Sequence, residues 1–280
     1  IESVEKILSY RDIFHIVQLS IEIDRLVEEA GAQFFKIDYN VTTGPGPDVE
    51  KDSPGQALLE HTRALYEWIG EIYRRHPDLV IENCSSGGQR MDYGILSYHS
   101  LQSVSDQTDL IHNCFVAANA LAAVTPEQAG MWVYPYDDDP EHVCMSAVIG
   151  LVLRPYLSGQ VWNLGKEQLD LLKEAALVYK NVIRKEQAKM YPWLPLGFAG
   201  HSDRVLAFGI CDSQKAYLAV VSLDGEEARV DVGNSFSQAC VLYPNDLPGK
   251  AVVEKGILKV STGNGSWNSG WARLIQLSSV

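Results

Sequence analysis

Apolar positions over the first 190 residues alternate between two textures. Short runs rich in β-branched and aromatic residues fall at 33–38, 79–83, 101–105, 131–134 and 156–158, and each ends in polar or small residues. Between the first two, Leu58, Leu59, Thr62, Leu65, Tyr66, Ile69, Ile72 and Tyr73 recur at three- and four-residue steps. That spacing predicts a helix with one apolar face, ending before Pro77. A second helix is predicted over 166–185, with Leu169, Leu172, Ala176, Tyr179 and Ile183 on its core side. Strands that alternate with helices in this way specify an α/β fold of parallel βα units.

After Tyr191-Pro192-Trp193-Leu194-Pro195 the pattern changes. Short alternating strands are predicted at 205–210, 216–223, 228–232, 239–243, 256–260 and 271–277, with Asp224-Gly225 as a hairpin signal between two of them. Residues 191–280 are therefore expected to form a C-terminal antiparallel β-sandwich domain behind a domain of βα units over 1–190. Trp267 and Trp271 read either as its core or as a sugar-stacking platform.

The composition narrows the choice of partners. With 280 residues and 46% hydrophobic content the chain can bury a large core. A formal charge of −13 and no Lys/Arg cluster argue against a nucleic-acid partner. No run approaches the ~20 apolar residues of a membrane helix, and the first residues lack the basic-then-apolar order of a signal peptide. A cytoplasmic location is expected, with the natural N-terminus left open. Five scattered cysteines without CxxC spacing fit neither a disulfide framework nor a zinc site, and most are expected to be reduced and buried.

Two acidic strand ends stand out. Lys36 and Asp38 lie two apart on the first predicted strand, so both point to one side near its carboxyl end, the active-site edge of a barrel. The alternative is a Lys36–Asp38 ion pair. Ser105-Asp106-Gln107-Thr108-Asp109 closes another strand, and Asp106 follows Asp38 by 68 residues, close to two βα units of about 30 residues each. Paired carboxylates at a barrel mouth suit glycosidic cleavage, one attacking the anomeric carbon and the other protonating the leaving oxygen. A separation of about 5–5.5 Å implies retention, and about 6.5–9.5 Å inversion.

Other segments are more ambiguous. The small residues of 84–88 allow close approach of a ligand to the backbone, or simply a tight turn with Arg90 and Asp92 as an ion pair. Loop 43–48 reads as a stiff connection or a pocket rim. Segment 136–142 offers carboxylates and a histidine, but Asp139-Pro140 reads more simply as a helix start. His61, His76 and His99 have no spacing for joint ligation.

Phe35-Lys36-Ile37-Asp38, then 84–92 (CSSGGQRMD), then 105–109 (SDQTD), resemble the bacterial α-galactosidase (melibiase) family. The resemblance covers roughly 25–158. It implies the C-terminal portion of a (β/α)8 TIM barrel, about strands 4 to 8, followed by the small β-sandwich. It implies a retaining hydrolase of terminal α-galactosides with Asp38 as nucleophile, Asp106 as acid/base and Lys36 as donor to sugar hydroxyls. Cys84 and Gly87 line the galactose subsite, and Asn40, Ser86, Arg90 and Asp109 complete the expected sugar-binding set. Neither metal nor cofactor is implied; the expected partner is an α-galactoside oligosaccharide or glycoconjugate.

Two departures shape the expectation. Ser86 and Gln89 stand where many members have glycine, which opens 2-acetamido- or 2-amino-galactosides as alternatives. Only 33 residues precede Phe34, whereas the family places a β-domain and three barrel strands ahead of that strand. A piece of a longer domain, or a homo-oligomer that covers the open edge, is expected. Galactosyl transfer and a non-catalytic carbohydrate-binding remnant are the other readings.

Overall fold

The computed structural model describes residues 13–40, 52–53, 55–135, 139–263 and 270–279. They fall into two compact units that divide between Gln102 and Ser103. The expectations for loop 43–48, for 136–138 and for Trp267 lie outside the described residues.

The first unit contains α1 (Ile13–Glu28), β1 (Phe34–Asp38), α2 (Gln56–Arg75), β2 (Val80–Cys84), α3 (Tyr93–Leu96) and the start of β3 (Leu101–Ser103). Strand β1 pairs parallel with β2, from Phe34↔Val80 to Asp38↔Cys84, and β2 pairs parallel with β3 through Glu82↔Leu101 and Asn83↔Gln102. Helix α2 ends one residue earlier than His76-Pro77, as predicted from the proline. Its buried side is Ala57, His61, Leu65, Trp68, Ile69 and Ile72. The expected stripe is thus rotated, because Leu59 is half exposed and His61 and Trp68 go inside. The Trp68 indole finds a partner in Ser20 Oγ at 2.9 Å on α1, which lets a polar aromatic be buried.

In the second unit, α4 (Leu110–Ala120), β4 (Ala129–Val133), α5 (Pro140–Leu151), β5 (Arg154–Leu157) and α6 (Lys166–Val178) continue the βα alternation. Strands β4 and β5 are parallel, from Gly130↔Arg154 to Val133↔Leu157. Asp139 caps α5, accepting from the Glu141 amide at 2.9 Å, with Pro140 in the first turn. From Val143 to Leu151 every residue of α5 is buried, the pattern of a helix enclosed on all sides. It packs against β4, α4, α6 and the last strand of the chain. The predicted helix over 166–185 is instead α6 followed by a π-helical turn at Tyr179–Ile183. Gln168, Leu171, Leu172, Ala175 and Ile183 are buried, whereas Leu169 and Tyr179 are only partly so and Ala176 is exposed.

The remainder of this unit is all β. A five-stranded antiparallel sheet has the order β10 (Gln238–Tyr243), β13 (Trp271–Ser278), β8 (Lys215–Ser222), β7 (Val205–Cys211), β6 (Tyr191–Trp193). A three-stranded sheet has the order β11 (Lys250–Glu254), β12 (Ile257–Ser261), β9 (Glu227–Asp231). Strands β6 and β11 were not expected. Pro192 masked the first, which tolerates proline because it is an edge strand. The Asp224-Gly225 hairpin is also corrected. It joins β8 to β9, which belong to different sheets, and only Gly225 has positive φ. The true two-residue hairpin is Lys255-Gly256 between β11 and β12, with φ of 51° and 79°. Trp271 is fully buried among Leu218, Val220, Val230 and Ile275 and donates to the Gly225 carbonyl at 2.8 Å, which makes it core rather than a sugar platform.

Candidate active site

The alternation along β1 decides which residues share a face. Lys36, Asp38 and Asn40 are exposed, and Phe35, Ile37 and Tyr39 on the opposite face are half-buried. In register with the first set on β2 stand Glu82, opposite Lys36, and Cys84, opposite Asp38. Lys36 forms an ion pair with Glu82, Nζ to Oε1 3.3 Å. Glu82 is 3% exposed and lies two residues before Cys84. Its period-2 position at the end of an apolar strand was the signal that sequence reasoning passed over.

Beyond β2 the chain turns sharply. Ser86 and Gly87 have φ of 45° and 80°, and the Ser85 amide donates to the Gly87 carbonyl at 3.0 Å. Two consecutive left-handed residues tolerate Gly at little cost and a serine only with local support. Asn40 supplies that support, because its Oδ1 accepts from the Ser86 amide at 2.6 Å and from the Ser86 hydroxyl at 3.1 Å. Asn40, Ser86 and Gly87 therefore form one corner joining the carboxyl ends of β1 and β2. Cys84 is buried beneath it.

Arg90, expected among the sugar-binding residues, packs against Tyr39. Its guanidinium stacks 3.9 Å from the centre of the Tyr39 ring, on the face of β1 opposite Asp38, and its Nη1 donates to the Tyr39 carbonyl. Asp92 serves as the N-cap of α3, accepting from the Gly94 and Ile95 amides at 2.8 and 3.2 Å. Behind Tyr39 sits His61, whose Nε2 meets the tyrosine hydroxyl at 3.2 Å. Burial, and secondarily the Arg90 charge, push the His61 imidazole below its ordinary pKa, while burial raises the Tyr39 phenol. A cleft of about 340 Å³ opens here, lined in part by Tyr39, His61, Tyr66, Gln89 and Arg90. Of the expected site residues only Arg90 lines it.

In the second unit, Asp106 is exposed on the turn after β3. The bonds on either side of it are local: Ser105 Oγ accepts from the Gln107 amide at 3.1 Å, and Gln107 Oε1 from the Asp109 amide at 2.9 Å. Asp109 caps α4 through the His112 amide at 2.8 Å and pairs with the His112 ring at 2.8 Å. That amide, and less strongly the ring, hold the Asp109 carboxyl below the usual range against a smaller effect of burial. Its carboxylate is thus already engaged in a helix start. Among the described residues no group of three or more His, Cys, Asp or Glu side chains is placed to hold a metal ion. None of the described helices is long and apolar enough to cross a membrane.

Comparison with known proteins adds to this geometry. Residues 5–142 match the family model described as Melibiase. Alpha-galactosidase 2 of Pediococcus pentosaceus is 26% identical over 222 residues, which are 74% of this chain and 29% of that protein. Two solved structures of the alpha-galactosidase AgaA from Geobacillus stearothermophilus align over 98% of this chain and 39% of theirs. A variant in complex with stachyose gives TM-score 0.72 at 16% identity, and one with raffinose gives 0.71 at 17%. The chain thus spans under a third of the Pediococcus relative and about two fifths of the solved enzyme. This likeness shows the fold, the C-terminal portion of a (β/α)8 barrel with an antiparallel β-sandwich after it. Through its residues 5–142, the chain is similar to the melibiase family.

Proposed function

We propose that this chain carries the nucleophile and the acid/base of a retaining hydrolase of terminal α-galactosidic bonds. The observation that carries the reading is the strand end Lys36–Asp38, joined through Asn40 to the Ser85–Gly87 corner, inside the region that matches the melibiase family. In the first step an Asp38 oxygen bonds to the anomeric carbon while the bond to the leaving oxygen breaks, and Asp106 gives that oxygen its proton. In the second, the Asp106 carboxylate takes a proton from water. The water oxygen bonds to the anomeric carbon, releasing Asp38 and a sugar of unchanged anomeric configuration. Lys36, steadied by Glu82, donates to sugar hydroxyls. Cys84 and Gly87 form the floor of the galactose subsite, and Ser86 with Asn40 forms its wall. The substrates seen with the Geobacillus enzyme, stachyose and raffinose, indicate the class of oligosaccharide.

Azide rescue tests the assignment. Asp38→Gly in the complete natural protein is expected to lose at least about 10³-fold in kcat on an aryl α-galactoside and to regain turnover with azide, which takes the place of the missing carboxylate. Full activity without azide, or none with it, overturns the assignment. Ser86 favours plain galactosides over 2-acetamido analogues, because its hydroxyl and the Asn40 side chain already fill the corner. A preference of at least about tenfold in kcat/KM is expected, and the reverse preference contradicts this placement of the wall.

A further inference from the structure

Tyr39, the residue directly after Asp38, is held at each end of its backbone and at its side chain. Its amide donates to the Cys84 carbonyl at 2.9 Å. Its carbonyl accepts from both Arg90 Nη1 and Ser85 Oγ, and these two donors contact each other at 2.5 Å. Its ring lies under the Arg90 guanidinium at 3.9 Å, and its hydroxyl meets buried His61 on α2 at 3.2 Å. One further residue along, the Asn40 side chain is bound to Ser86. The other neighbour of Asp38, Ile37, is fixed by the β1–β2 register.

We infer that Arg90 is a positioning residue for Asp38 and makes no contact with the sugar. The reading rests on Asp38 being the nucleophile. Side chains alternate across a strand, so a group stacked on Tyr39 lies on the face opposite Asp38. From there a delocalised, permanently charged fork can serve a backbone carbonyl and a ring face at once, which a lysine ammonium cannot do. A shift of about 1 Å in a nucleophile held for in-line attack is enough to cost about 10²-fold in rate. A clamp on the adjoining peptide is the means of preventing that shift.

The test uses the complete natural protein with three variants, Arg90→Ala, Arg90→Lys and Ser85→Ala. Two quantities are measured, kcat on an aryl α-galactoside and the dissociation constant of D-galactose by calorimetry. For Arg90→Ala and Arg90→Lys, kcat is expected to fall about 10²-fold while galactose binding changes less than about threefold. Added guanidinium is expected to restore part of the kcat of Arg90→Ala and leave the parent protein unaffected. Ser85→Ala, which removes one of the two donors to the same carbonyl, is expected to lose several-fold in kcat, and it decides the matter if both Arg90 variants fail to fold. Weakened galactose binding with kcat kept would make Arg90 a sugar ligand and overturn the inference, as would full kcat in every variant. An active Asp38→Gly sinks the nucleophile reading whatever the Arg90 variants do, so the two failures are separable.

Discussion

Gly87 shows how much a single backbone position carries here. Its φ of 80° is shared with its neighbour Ser86 at 45°, and the pair turns the chain out of β2 so that Ser86 faces Asn40. An added Cβ at Gly87 costs about 1–2 kcal/mol in this region of backbone space. Gly87→Ala is therefore expected to lower stability by that amount in urea titration and to weaken galactose binding. An unchanged midpoint would show that the turn relaxes freely. At this scale the sequence was legible where alternation applies: Lys36 and Asp38 share a face, as their spacing requires. It was less so where a side chain's partner is set by the fold rather than by spacing. The engagement of Lys36 with Glu82, of Arg90 with Tyr39 and of Asp109 with His112 each depends on folded geometry. A list of polar residues near a motif does not separate the ones that line a pocket from the ones that hold its wall.

Among the elements, α2 and the segment leading into β3 carry buried histidines with a measurable consequence. His61 and His99 are each 6% exposed, and the His99 Nδ1–H donates to the Ile95 carbonyl at 2.9 Å. Burial is the largest influence on both, and it lowers both pKa values. The unfolded chain therefore binds protons that the folded chain refuses. Stability should be full above the ordinary imidazole pKa and fall as pH drops through about 6.5. Urea midpoints at pH 8 and pH 5.5 check this, and His99→Gln is expected to flatten the profile; a profile that rises toward acid contradicts it. Periodicity found α2 and α6 but misplaced part of their buried faces, because polar and polar-aromatic side chains, His61 and Trp68 on α2 and Gln168 on α6, were not counted as core. The hairpin was misread for a related reason. Lys255-Gly256 has the required backbone without the usual Asn or Asp, whereas Asp224-Gly225 has the usual residues and crosses between sheets.

For the molecule as a whole, the second unit is held together by a buried ion pair. Arg273 on β13 is 0% exposed, and its two terminal nitrogens bind the two Glu141 oxygens on α5 at 2.7 Å each. The same guanidinium donates to the carbonyls of Pro248 and Ala272 at 2.7 Å. The terminal sheet is thereby fastened to the helix that follows β4, and the βα layers and the β-sheets of this unit share one buried seam. Removing one partner leaves the other charge buried, so Glu141→Gln or Arg273→Leu is expected to cost about 3–5 kcal/mol. The double replacement by apolar residues should cost less than the sum of the two single changes. Strict additivity in that double-mutant cycle would deny the coupling. This seam was invisible in the sequence, where Glu141 and Arg273 are 132 positions apart, although the helix start at Asp139-Pro140 and the strand over 271–277 were each legible.

The central claim, that Asp38 becomes covalently galactosylated, is tested most directly by trapping. The complete natural protein is treated with an activated fluorinated α-galactoside, digested, and its peptides are sequenced by mass spectrometry. One fluorogalactosyl adduct on Asp38, absent from Asp38→Gly, is the predicted result. An adduct on another carboxylate, or turnover of the reagent with no adduct and an inverted product, would contradict the account.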